Sequence, residues 1–98
     1  MDQTDPAVHQ KIHNILNEET PKRDLDYHHL RHRMSGYTLF IEFHLLFASD
    51  VKLSTAHDIA SEIEARLLKA FDTPVEVSSH LELKTHHDDV HQKFGLPI

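Results

Sequence analysis

The pattern of apolar and polar positions changes period along this chain, and each change marks an element. Val8, Ile12, Ile15 and Leu16 recur at i, i+4, i+7 and i+8, the spacing of one stripe on an α-helix. Asp5-Pro6 opens that helix, a capping carboxylate followed by proline at the first helical position. The stripe fades near Asn17, Thr20-Pro21 closes it, and the polar stretch 18–24 predicts a loop. A first strand is expected from Leu25 or Asp26 to Met34, followed by a turn at Ser35-Gly36. The period then becomes strictly two. Tyr37, Leu39, Ile41, Phe43, Leu45 and Phe47 fall on one face of a second strand, and Thr38, Phe40, Glu42 and His44 on the other. So short a link predicts an antiparallel hairpin.

After the polar connection 49–52, Ser54 or Thr55 is the expected cap of a long helix, with Thr55 and Asp58 as a capping-box-like pair. Ala56, Ile59, Ala60, Ile63, Leu67, Ala70 and Phe71 make its apolar stripe, and Asp72-Thr73-Pro74 stops it. A third strand is expected from Val75 to about Lys84, with Val75, Val77, Leu81 and Leu83 on one face and Glu76, His80 and Glu82 on the other. The order α-β-β-α-β predicts an α+β fold, a two-layer sandwich of ferredoxin-like type with a small, mostly antiparallel sheet. Residues 1–84 form one domain in this reading, and 85–98 a loosely ordered His/Asp-rich tail.

Composition narrows the function. Ninety-eight residues hold one small domain. The longest apolar run, Leu45 to Ala48, is far short of the ~20 residues that span a bilayer, so no direct membrane insertion is expected, and no signal peptide is read at the start. A formal charge of −6 argues against nucleic acid, because phosphate contact needs surplus cations. With no cysteine, disulfides, thiol catalysis and thiolate zinc sites are excluded. Eleven histidines against two glycines point instead to imidazole chemistry.

Those histidines fall into groups. His44 and His80 lie on the non-core faces of the second and third strands, with Glu82 two residues from His80 on the same side. Imidazole nitrogen with carboxylate oxygen suits zinc, and also nickel, cobalt or copper; the plainer reading is a solvated sheet face, weighed about equally. His57 lies in the first turn of the long helix, where an exposed polar residue is the simpler account. In the run Tyr27 to Arg33, alternation sets His28 and His32 together and His29 opposite. It also sets Leu30 beside His28, a conflict that a bulge at the strand entry would resolve. His9 and His13, at i and i+4 on the first helix, have two-ligand spacing but no third group in view. His86, His87 and His91, with Asp88 and Asp89, read as a weak chelating tail.

Four pieces in order carry a resemblance: His28-His29-Leu30-Arg31-x-Arg33-x-Ser35-Gly36, Phe40-Ile41-x-x-His44-Leu45, Ala56-His57-x-Ile59-Ala60 and His80-x-Glu82. From Pro6 to Glu82 the chain resembles the cytoplasmic C-terminal domain of the cation diffusion facilitators, the cation-efflux zinc transporters. The resemblance implies a ferredoxin-like domain below the membrane helices, forming a V-shaped homodimer in which metal near the interface regulates transport. It implies zinc, or another divalent transition metal, held by His28, His44, His57, His80 and Glu82. Glu82 stands where many members have aspartate, His29 where aspartate is common, and His32 is an extra imidazole; His29, His32, His86, His87 and His91 are therefore further candidate ligands. The chain has no membrane helices of its own, so a cytoplasmic domain that partners a transporter's transmembrane part is the first expectation. A stand-alone cytosolic metal buffer or delivery protein is the second. A metallohydrolase, with Glu42 as general base, is disfavoured because no nucleophile or His-Glu-x-x-His stands out, and no enzyme activity is expected. A metal-free pH-sensing module is a further alternative, since histidines gain charge on acidification.

Overall fold

Asp5 begins the fold as the sequence leads one to expect. Its Oδ1 accepts hydrogen bonds from the Ala7 and Val8 amides, and the helix α1 (Pro6–Glu19) follows. This computed structural model describes residues 5–84. A single 3-10 turn (Pro21–Arg23) leads to β1 (Asp26–Ser35), β2 (Thr38–Phe47), α2 (Leu53–Lys69) and β3 (Val75–Leu83). The chain is therefore α-β-β-α-β, the expected two-layer ferredoxin-like α+β arrangement. Among the described residues no helix is long and apolar enough to cross a membrane.

The sheet order is β1-β2-β3, with β1 and β2 antiparallel and β2 and β3 parallel. The expectation of a mostly antiparallel sheet is corrected by the second pair. A two-residue turn can only fold a strand back on itself, whereas α2 carries the chain back to the starting end of the sheet, so β3 runs alongside β2. Gly36 makes the first turn with φ +60, a left-handed conformation that costs glycine little.

Leu39, Ile41, Phe43, Leu45 and Phe47 are all buried. They pack under Ile12, Ile15 and Leu16 of α1 and Ala56, Ala60, Ile63 and Leu67 of α2, and this apolar burial is the main favourable term in the fold. Tyr37, expected on the same stripe, sits in the hairpin loop and is 87% exposed; alternation has no force once the backbone leaves the ladder. The helix ends also differ from expectation. α2 starts at Leu53 with Lys52 at its N-cap and no side-chain cap, so Ser54 and Thr55 lie inside the first turn. α1 runs on to Glu19, which is buried and ion-paired to Arg23 and Arg66. The last helical residue is thus held by charge pairing, local with Arg23 and tertiary with Arg66, beyond the point where the apolar stripe fades.

Candidate metal centre

β2 buries one face and leaves Glu42 and His44 on the other. Register then decides what stands beside them. His28 of β1 and His80 of β3 are both the direct partners of His44, and directly paired residues share a face. One rung of the sheet thus carries an imidazole on each strand. The His28 and His44 rings are 5.3 Å apart, and the His44 and His80 rings stack at 4.7 Å. Glu82, two residues beyond His80, reaches across them: His44 Nδ1 hydrogen-bonds its Oε2, and its Oε1 lies 3.4 Å from His28 Nε2. His80 turns the other way, Nε2 to Glu42 Oε2 at 2.9 Å.

Donor atoms of His28, His44 and Glu82 all lie within 4.8 Å of one another. Among the described residues this is the group whose donor atoms already converge. Two imidazole nitrogens and a carboxylate oxygen form a donor set suited to zinc. His28 Nε2 is shielded from solvent and makes no well-formed hydrogen bond, with Glu82 Oε1 3.4 Å away, and a shielded polar atom so weakly partnered is costly unless something else satisfies it. A cation between these groups would do so. The Glu82 carboxyl is already held below its usual range by the His44 hydrogen bond; burial opposes this, and the His44 and His28 charges add to it. A carboxylate kept ionised needs no proton removed before it ligates.

A bulge, which the sequence itself does not show, is present and re-sorts β1. Register slips between His28 and Arg31, and His29 takes φ +57, so one extra residue is accommodated there. His28 stays on the ligand face, and Leu30 packs against the core, which removes the conflict in the sequence. The His29 ring, expected on the opposite side, lies 4.1 Å from that of His28 and 5.0 Å from that of His44. His32, expected beside His28, pairs instead with the core residue Ile41 and is only 4% exposed. It stands apart from the His28 group. His57 is exposed in the first turn of α2, in the helical layer that covers the other face of the sheet, and does not join the convergent group within one chain. His86, His87 and His91 lie outside the described residues, as does the whole of 85–98. Glu42, considered from sequence only as a base, is the one partner the reading missed; its signal was its place two residues before His44 on the same face.

Residues 4–84 match the family described as the cation efflux protein, cytoplasmic domain. The chain belongs to that family. It is 37% identical over 68 residues to the cation-efflux pump FieF of Shewanella oneidensis, a stretch covering 69% of this chain and 22% of that protein. The chain thus spans about a fifth of the length of this curated relative. Among solved structures it is similar to the Zn form of CzrB, described as a candidate zinc transporter (TM-score 0.75, 31% identity, 87% of this chain and 96% of that one). It is also similar to the metal-bound C-terminal domain of the CzcD transporter from Thermotoga maritima (TM-score 0.71, 25% identity, 85% and 94%). Membership makes this a cytoplasmic domain of cation efflux proteins, a transporter family rather than an enzyme family.

Proposed function

We propose that this domain binds zinc through His28, His44 and Glu82 and acts, as a homodimer, to regulate a cation-efflux transporter. The observation that carries the reading is the convergence of these three donors around a shielded His28 nitrogen whose nearest partner, Glu82 Oε1, is 3.4 Å away. His80, bonded to Glu42 beside the group, either completes the ligand set or orients it. Three protein donors leave a tetrahedral ion one position short. His57, exposed on α2, is the remaining ligand implied by the resemblance, and in a dimer it is available to a second copy.

The dimer reading rests on the open face of the sheet. Both helices pack on the other side, while Phe40 and Leu46 stay half-buried on the same face of β2 as His44. A second copy would cover these groups, and metal at their margin would then set how the two copies are held. The likeness to the Zn form of CzrB and to metal-bound CzcD supports zinc as the ion. The transmembrane partner follows from the family alone.

Zinc titration against a competing chelator, with sedimentation of the same samples, tests the reading. The parent chain is expected to bind zinc tightly and to sediment as a dimer, and His44→Ala to lose the tight site. Equal zinc affinity in the parent and His44→Ala proteins would reject the site, and a monomer with and without zinc would reject the regulatory dimer.

A further inference from the structure

The bulge that keeps His28 on the ligand face also turns His32 towards the helices. There it meets the i, i+4 pair of α1. His9 Nδ1 and His32 Nε2 are 2.9 Å apart, the His9 and His13 rings stand edge-to-face at 4.4 Å, and the His9 and His32 rings lie 5.1 Å apart. We propose that His9, His13 and His32 form a second binding site for a divalent transition-metal ion, on the opposite face of the sheet from the first.

Proton bookkeeping favours it. Tyr27 Oη donates to Asn17 Oδ1 at 2.7 Å, so at His13 it accepts, from Nδ1–H at 2.7 Å. That fixes the His13 tautomer and leaves Nε2 with its lone pair, the arrangement that a hydrogen-bonded outer partner imposes on a metal-ligating histidine. Between His9 and His32 one proton is shared, and a metal ion would replace it while drawing on both nitrogens. Zinc–nitrogen bonds of about 2.0–2.1 Å in a tetrahedral site set nitrogens about 3.3 Å apart, so the His9–His32 pair opens by only about 0.4 Å, while the His13 ring has to turn towards it, because the three donors do not yet converge. Burial, reinforced by the neighbouring histidines, pushes His13 and His32 below the ordinary imidazole range, and neutral imidazole is the ligating form. The Asp5 carboxylate acts on His32 in the opposite sense, supplying the negative potential that a cation favours. Three imidazoles without thiolate suit zinc, nickel, cobalt or copper(II) and not magnesium. Bound there, the ion would tie α1 to β1.

The test uses zinc chloride and the whole 98-residue chain, followed by NMR of the imidazole nitrogens, which reports each histidine separately from those of the tail. Zinc is expected to shift His9, His13 and His32 together, and His44→Ala to preserve that shift while losing the response of His28. His13→Gln is expected to abolish the joint shift and lose one bound zinc per chain, with His28 and His44 still responding. His9→Gln, at a half-exposed position, provides the same test should His13→Gln disturb the fold. His9, His13 and His32 signals that stay in place under excess zinc, or that move unchanged in both glutamine variants, would overturn the second site. Failure of the first site appears separately, as an absent response at His28 and His44.

Discussion

Glu19 shows how one residue's surroundings set its chemistry. Burial alone would raise its carboxyl; hydrogen bonds from Arg66, Arg23 and Lys22 overcome this and hold it at about 2, against an ordinary value of 4.5. A carboxylate with a depressed folded pKa stabilises the fold above its unfolded value, and the contribution is lost as pH falls through the folded one. The domain is therefore expected to lose up to about 3 kcal/mol between pH 4.5 and 2 from this group. Glu19→Gln is expected to flatten that part of the pH–stability curve in urea melts. At pH 7 it is expected to cost up to the same amount, about 3 kcal/mol, and less where Arg66 and Arg23 fall back on Glu18 and Glu62. At the metal centre the residues divide by contact. His44→Ala removes a convergent donor and is expected to weaken zinc binding beyond the roughly 10–100-fold that loss of an outer partner costs. Glu42→Gln, which touches the centre only through His80, is expected to fall within that range. A chelator competition assay reads both.

At the scale of elements the β1 bulge is decisive, because a one-residue slip sends every following side chain to the other face. His29 holds the slip with φ +57, a conformation unfavourable to residues with a Cβ and most so to β-branched ones. His29→Gly is expected to leave stability unchanged or raise it by about 0.5–1 kcal/mol, and His29→Val to lower it by more than 1 kcal/mol; thermal melts in chelator decide this. Deleting His29 would remove the extra residue and restore plain pairing, with Leu30 opposite Phe43 and His32 still opposite Ile41. That variant is expected to keep the close approach of His9 and His32, which a nuclear Overhauser measurement between their rings detects.

For the whole molecule, metal and truncation are the informative perturbations. An ion that binds only the folded chain stabilises it by RT ln(1 + [L]/Kd), about 2.7 kcal/mol at a hundredfold excess over Kd. In a domain of this size that raises Tm by roughly 10 °C or more. The rise is expected with zinc at pH 7.5, to shrink at pH 5.5 as protons compete for imidazole, and to be nearly absent with magnesium. A chain ending at Lys84 is expected to keep the fold and the tight site, because the elements in 5–84 already supply the core and Lys84 is tied to Asp26 at 3.0 Å. Loss of the near-ultraviolet circular dichroism signal on truncation would contradict this.

Period was enough to read much of this protein. Helical spacing marked α1 and α2, strict alternation marked β2 and its buried face, and the same alternation set His44, His80 and Glu82 on the side away from the core. Those features are local, since each depends on where successive Cβ atoms point along a single element. Register, crossover and bulge are not local. Only the folded sheet aligned His28, His44 and His80 on one rung and swung Glu82 across His44 towards His28. It also ran β3 parallel to β2, because a helix of 17 residues intervenes between them. The sequence required some irregularity near Leu30, but not that it would divide the β1 histidines between two faces. That depended on Leu30 and His32 both entering the space under α1 while His28 kept its pairing with His44, a choice made by packing between elements far apart in the chain.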